Sequence, residues 1–298
     1  MRILFTADLH LSPGAHERTL LKVTEWIALY QPATLVVAGD LSTAPDGERT
    51  LRDLRRSFPD GRIAVCLGNH DFWLPDFFRG DCRSLSDVIE RFWEPAAKEF
   101  DVTLLDTANL CLPGLAIVGG YGHYDLGFAI PGLSYDGIPV TEADYTRGWL
   151  ASKPTLRWRD FELIPDRVNP GEIAAEQVAG VQRRLGAIDD RRAIVVLHTP
   201  PFEALLGVPP VASHVLHGAP SVYAFFRAYL GNRSMGEFLE QERQKVAAVV
   251  CGHTHRQAGP LTLAGLGAIG VNVGSDYGEA RAVLFESDLN RFERVPDW

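Results

Sequence analysis

Val65-Cys66-Leu67-Gly68-Asn69-His70-Asp71 decides how this chain is read. A short apolar run, with the composition of a buried strand, breaks at Gly68 into side chains that can bind a metal or move a proton. Four other places repeat the design. Ile3-Leu4-Phe5-Thr6-Ala7 runs into Asp8-Leu9-His10, and Leu35-Val36-Val37-Ala38 into Gly39-Asp40. Ala193-Ile194-Val195-Val196-Leu197 ends at His198, and Val246-Ala247-Ala248-Val249-Val250-Cys251 at Gly252-His253-Thr254-His255. In open α/β sheets, ligands bind beyond the carboxyl ends of the strands. Five such ends are therefore expected to meet in one polar site.

The segments between them support this. Leu20, Leu21, Val23, Trp26, Ile27 and Tyr30 recur at helical spacing over residues 17–30, and Pro32 stops that helix before the strand at Leu35. Further helices are expected over 48–57, 84–100 (with Ser84 as cap), 172–188 and 236–245. Short strands are expected at 63–67, 102–105, 110–112, 115–118, 268–273 and 282–285. Strands alternating with helices favour a parallel sheet, an α/β fold. Two stretches break the pattern, about 119–170 and 200–232, rich in Gly, Pro and aromatic residues. Long irregular stretches within a domain are usually functional or disordered; the aromatic content of the first argues for order, and both are read as insertions forming a lid or substrate wall of one domain spanning 1–298.

Composition narrows the function. The net charge is -9, with 29 Lys and Arg against 38 Asp and Glu, and there is no dense basic block. Non-specific nucleic-acid binding, which depends on neutralising phosphates, is disfavoured. No apolar stretch reaches the roughly 18 residues of a spanning helix, and the first strand begins too early for a leader peptide. The expectation is a cytoplasmic protein with no membrane partner. Cys66, Cys82, Cys111 and Cys251 lack CxxC spacing and are expected to be buried or inert thiols. Gly265-Leu266-Gly267-Ala268-Ile269-Gly270 matches GxGxxG but leads into a strand-like run, which removes the dinucleotide context.

A lone His is more often structural than a ligand, but five of the nine, His10, His70, His198, His253 and His255, fall immediately after apolar runs. With Asp8, Asp40 and Asn69 they make a mixed donor set suited to Mn, Fe, Zn or Ni, where calcium would ask for oxygen alone. His16 is assigned to the solvated side of the first helix, and His214 and His217 to loops. Tyr121-Gly122-His123-Tyr124-Asp125 reads either as a sharp turn or as a stacking platform beside the site. Arg147, Arg157 and Arg159 read as solvated side chains that would reach a phosphate only if the insertion folded over it.

In order and residue type, Asp8-x-His10, Gly39-Asp40, Gly68-Asn69-His70-Asp71, His198 and Gly252-His253-Thr254-His255 resemble the five signature blocks of the calcineurin-like metallophosphoesterase superfamily. The resemblance implies a four-layer α-β-β-α sandwich, with two mixed sheets face to face and helices outside. It also implies a dinuclear centre, with Asp8, His10, Asp40 and His255 on one metal, and Asp40, Asn69, His198 and His253 on the other. The ions would be divalent or mixed-valence, with manganese and iron favoured. Such a pair can share a hydroxide for in-line attack on phosphorus. His70 would protonate or stabilise the leaving group, with Asp71 orienting it.

Asp40 is followed by Leu41-Ser42 and His70 by Asp71, unlike the Asp-Arg-Gly and Asn-His-Glu of serine/threonine protein phosphatases. The expected function is a metal-dependent phosphoesterase acting on small phosphodiesters. The alternatives are a phosphomonoesterase or nuclease of the same superfamily, or a non-catalytic interaction scaffold. Scaffolds of this fold have typically lost site residues, and here every ligand position is filled.

Overall fold

The computed structural model describes residues 1–11, 16–78, 80–165, 169–209, 215–216, 219–220 and 222–296. Two six-stranded sheets carry the architecture. In the first, the strands run in the order Arg291–Arg294, Ala282–Glu286, Arg2–Thr6, Thr34–Ala38, Arg62–Cys66 and Val102–Leu104. Its last four are parallel, and the first two are antiparallel additions at one edge. In the second, the order is Ala258–Leu263, Ala268–Asn272, Val246–Cys251, Arg192–Leu197, Leu115–Gly120 and Leu110–Leu112. Its four central strands are parallel and both edges antiparallel.

The period of two along each strand explains the layering. Ile3, Phe5, Val36, Ala38 and Ala64 of one sheet share a buried cluster with Ile117, Ile194, Val196, Val250 and Val271 of the other. The intervening residues face outward. Leu4, Leu35, Val37 and Val65 pack with Val23 and Trp26 of the helix His16–Tyr30 and with Leu51 and Leu54 of Gly47–Ser57. Val118, Val195, Leu197 and Val249 pack with Val181 and Leu185 of Pro170–Gly186 and with Met235 and Leu239 of Arg233–Gln241. Both faces of each sheet are covered, so the central strands read as unbroken apolar runs. The fold is the expected four-layer sandwich.

The expected helix over 84–100 is present, helical without a break over residues 85–99, but it is not α throughout. Ser84 caps Leu85–Val88 in a capping box with Asp87, after which Ile89–Trp93 is a π turn and Glu94–Glu99 is α again. Trp93 is buried, and its indole N–H donates to the Asp71 carbonyl at 2.9 Å, tying this element to the loop that carries Asn69 and His70. His16 is not on a solvated face: its Nε2 lies 2.9 Å from Asp53 Oδ2 and its Nδ1 3.3 Å from the Leu11 carbonyl. Both edge strands Ala258–Leu263 and Arg291–Arg294 are additions to the expected set. Cys66, Cys82 and Cys251 are buried and Cys111 is exposed, all four as free thiols.

The two insertions share a small core of their own. Tyr124, Tyr135, Tyr145 and Leu150 from the first pack with Ala224, Phe225, Ala228 and Tyr229 from the second. The Trp158 indole stacks on Tyr229, with ring centroids 5.1 Å apart and planes at 15°. His214 and His217 lie outside the described residues.

Candidate metal centre

The carboxyl ends of the parallel strands deliver the polar side chains. Immediately beyond the strands the chain turns through left-handed backbone at Asp8 (φ 51°), His10 (42°), Asp40 (52°), His253 (71°) and His255 (54°). Asp and His tolerate this region better than most residues, yet each such residue still costs on the order of 1 kcal/mol or more, and strain of this kind gathers at functional sites.

Asp8, His10, Asp40 and His255 each offer an atom, all within 4.8 Å of one another, and could hold an ion. His10 Nε2 lies 3.2 Å from His255 Nε2 and 3.8 Å from Asp40 Oδ2, and His255 Nε2 lies 3.7 Å from Asp8 Oδ1. Alongside is a second convergence. Asn69 Oδ1 stands 3.0 Å from His198 Nε2 and 3.1 Å from His253 Nδ1, and those two nitrogens are 3.1 Å apart. Asp40 Oδ1 is 3.3 Å from His198 Nε2, so the two oxygens of Asp40 face the two groups.

The outer hydrogen bonds settle which atoms point inward. His198 Nδ1 is 3.0 Å from the Ala38 carbonyl, and His253 Nε2 2.9 Å from the Tyr229 carbonyl. A carbonyl can only accept, so each ring carries a proton there and turns its other nitrogen, the one a metal would take, on Asn69 Oδ1. The Asn69 amide is oriented in turn because its Nδ2 donates to Asp160 Oδ1 at 3.0 Å. Three acceptor atoms about 3 Å apart repel one another unless a cation sits between them. In the first group, His255 Nδ1 pairs with Asp276 Oδ1 at 3.0 Å, leaving Nε2 to the site. Asp8 Oδ1 accepts the His253 amide at 2.8 Å, whereas its Oδ2 is buried with no hydrogen-bond partner among the described residues. Such an orphaned oxygen fits a metal.

In the metal-free protein a proton on His198 supplies that cation. Burial opposes charge on His198, but the Asp40 and Asp8 carboxylates outweigh it and raise its pKa to about 9. Burial pushes His253 well below its ordinary value, with His198 acting in the same direction. Without metal, the carboxylates draw a proton onto the ring best placed to carry it.

A profile of the calcineurin-like phosphoesterases (Metallophos) matches residues 1–257, which contain all of these positions. The chain belongs to that family. Metallophosphoesterases of this kind bind a dinuclear metal centre. Among solved structures, the chain is similar to the phosphopantetheinyl hydrolase PptH from Mycobacterium tuberculosis, at 21% identity, covering 93% of this chain and 89% of that one with a TM-score of 0.63. It is also similar to a dimetal phosphatase from Danio rerio, at 13% identity over 95% and 92% of the two chains, with a TM-score of 0.51. At these identities the likeness is one of fold. No curated protein matches the sequence.

His70 sits at the edge of the centre. Its amide donates to Asp40 Oδ1 at 2.9 Å, its Nε2 is 3.9 Å from Asp40 Oδ2, and its ring stacks on Trp73 with centroids 3.6 Å apart. Asp71 is not its orienting partner. The Asp71 carboxylate is buried and accepts backbone amides from Leu41 (3.2 Å), Ser42 (2.9 Å) and Gly68 (2.8 Å), clamping the two ligand loops together. Orientation of His70 comes instead from Trp73, whose Nε1 donates to Asp160 Oδ1 at 2.8 Å.

A cavity of about 500 Å³ opens over the centre, lined by Asp40, Asn69, His70, His253 and His255 on one side and by Trp158, Tyr223, Phe226 and Leu230 on the other. Tyr121, His123 and Tyr124 are buried in the core and do not line it; Trp158 provides the aromatic surface. Arg147 pairs with Asp144 and Arg157 with Glu162, while Arg159 lies over Trp73, and none of the three lines the cavity. Asp160, Tyr277 and Asp276 were not singled out by the sequence, and Trp158 only as one aromatic of the first insertion. The one available signal was the Trp158-x-Asp160 pair inside an aromatic insertion.

Proposed function

We propose that this metallophosphoesterase hydrolyses small phosphodiesters at a two-ion centre of manganese or iron. Asp8, His10, Asp40 and His255 would hold one ion, and Asp40, Asn69, His198 and His253 the other. The observation that carries the reading is the division of Asp40, with Oδ1 3.3 Å from His198 and Oδ2 3.8 Å from His10. A pair of divalent ions supplies Lewis-acid charge for in-line displacement at phosphorus.

The remaining work falls to the chain. His70 Nε2, beside Tyr277 Oη at 3.5 Å and on the open face of the cavity, is the group assigned to donate a proton to the departing oxygen. Trp73 keeps that ring from rotating, and Asp8 and Asp276 fix the loop that carries His253 and His255. Preference for a diester rests on the apolar side of the cavity. Trp158, Tyr223, Phe226 and Leu230 offer room for an organic arm that a monoester of a small alcohol would leave unfilled, within the roughly 300–1,000 Å³ of small-molecule pockets.

The test is hydrolysis of a chromogenic phosphodiester and the matching monoester by metal-stripped protein reloaded with Mn, beside Asp40→Ala. Diester turnover above monoester turnover, abolished in the variant, is the expected result. Faster monoester turnover would move the reading to a phosphatase, and no turnover with Mn, Fe, Zn or Ni would remove the catalytic reading altogether.

A further inference from the structure

One cation in the cavity is used by nothing described so far. Arg256, the residue after the ligand His255, lines the same cavity as Asp40, His70 and His253. Its Nη1 is buried, and among the described residues it has no hydrogen-bond partner. Among the described residues no carboxylate pairs with it, whereas Arg147, Arg157 and Arg227 each face an acid. The two carboxylates that share its cavity are engaged elsewhere, Asp40 between the ligand groups and Asp276 with His255 Nδ1 and the Tyr277 amide. A partly buried guanidinium without an anion is costly and calls for an explanation.

Its placement is fixed from both sides. The guanidinium carbon lies 4.6 Å from the centroid of the Tyr223 ring, which orients the plane of the fork while leaving its edge free. At Gly207 (φ 72°), a Cβ would stand 2.5 Å from Arg256 Cβ, so the second insertion packs on the arginine stem through a position only glycine suits.

We propose that Arg256 is a subsite for a second phosphate group on the substrate. The class of substrate is then an organic phosphoester whose retained arm crosses the Trp158, Tyr223 and Phe226 wall and ends in another phosphate. Arginine suits this because its planar fork matches phosphate oxygens two at a time. A cavity of about 500 Å³, on the order of 10 Å across, accommodates both ends. The inference rests on the phosphoester reading above for what happens at the metals, but the binding it asserts can be measured without turnover.

The experiment compares two 4-nitrophenyl diesters, identical except that the second arm ends in phosphate or in hydroxyl. With Mn-loaded protein, kcat/KM is expected to favour the phosphate-ended ester by about tenfold or more, the scale of a charge-assisted hydrogen-bond pair. Arg256→Met should bring that ratio close to one, and Arg256→Lys should keep part of it. A wild-type ratio of one overturns the proposal. So does an Arg256→Met variant that slows both esters in the same proportion, the result of a purely structural role. If neither ester turns over, the catalytic reading fails by itself. The subsite is then decided by the dissociation constants of the matching non-hydrolysable methylene phosphonates, for which equal affinity in wild type and Arg256→Met overturns it.

Discussion

Asp160 Oδ1 accepts both the Asn69 amide at 3.0 Å and the Trp73 indole at 2.8 Å, while Oδ2 accepts the Trp158 indole at 2.8 Å. One buried carboxylate from the first insertion thus orients a candidate metal ligand, the ring stacked on His70 and the aromatic surface of the cavity. Asp160→Ala would leave three donors unpaired, the buried Asn69 amide at a cost of about 1–3 kcal/mol and the two part-buried indoles at less, and would free the Asn69 amide to turn its nitrogen inward. Metal affinity should fall about 10–100-fold, read by calorimetric titration of metal-stripped protein. Asp160→Asn keeps the shape but presents an N–H to one of the donors, so an intermediate loss is expected. Unchanged affinity in both variants would remove Asp160 from the centre.

Gly68 is the tightest backbone position at the site. A Cβ there would collide with Asp40 Oδ1, lie 2.5 Å from the Asp40 amide nitrogen and 2.8 Å from His198 Cδ2. None of these is the free end of a flexible side chain, so the strand end itself must move. Gly68→Ala should lose about 1–3 kcal/mol of stability together with metal binding, measured by thermal unfolding and metal content. A variant that kept both would show that the loop has slack its packing does not reveal.

His70→Ala should separate chemistry from metal binding. The ring meets the centre edge-on at His10, with centroids 4.6 Å apart, and at Asp40 Oδ2, 3.9 Å away, but is a member of neither ligand group, so metal content should hold at the wild-type level. Turnover should drop about 10²–10⁴-fold, the usual worth of a positioned proton donor. Loss of a metal in the variant would make His70 a ligand instead.

What the sequence made legible follows from burial. Central parallel strands covered on both faces appear as apolar runs, and each strand end showed its donors at once because they lie within four residues of it. The edge strands were harder. Ala258–Leu263 is interrupted by Gly259-Pro260 and half exposed, and Arg291–Arg294 buries only Phe292 among charged neighbours. The π turn at Ile89–Trp93 is invisible because a period of 3.6 extends smoothly through it. Asp160 was illegible for another reason: its partners Asn69 and Trp73 are 91 and 87 residues away, and the one local mark, the Trp158-x-Asp160 pair, says nothing of a carboxylate whose role is to hold two distant side chains. Asp71, adjacent to His70 in sequence, invited an orienting role that its three backbone amides exclude.

Asp106 gives the fold a pH dependence away from the metals. Burial raises its carboxyl from 3.8 to about 6, against the opposing pull of Arg184 and of hydrogen bonds from the Leu67 and Tyr121 amides. A raised folded-state value means the native protein holds the proton more tightly than the unfolded chain. The associated stability is therefore full below about pH 4 and is lost as pH rises through about 6. Asp106→Asn cannot titrate. The stability of wild type relative to this variant should fall between pH 4 and pH 7, by up to about 3 kcal/mol, in paired denaturant titrations. A relative stability that instead rose with pH would mean Arg184 dominates and the carboxylate is charged in the fold.

Metal removal should destabilise the protein through the same atoms that make the site. Asp8 Oδ2 has no hydrogen-bond partner among the described residues, and Asn69 Oδ1, His198 Nε2 and His253 Nδ1 face one another at 3.0–3.1 Å, arrangements that cost energy until a cation compensates them. Ions that bind only the folded state stabilise it by RT ln(1 + [L]/Kd), about 4 kcal/mol at a thousandfold excess over Kd. Chelation should lower Tm, and Mn should restore it with two ions per chain. Because Asp40 faces both groups, Asp40→Ala should abolish the metal-dependent rise in Tm. His10→Ala and His198→Ala each remove one side only, so each should retain close to one ion and part of the rise. Full two-ion binding by Asp40→Ala would show that the groups act separately, and the shared-carboxylate reading would fall.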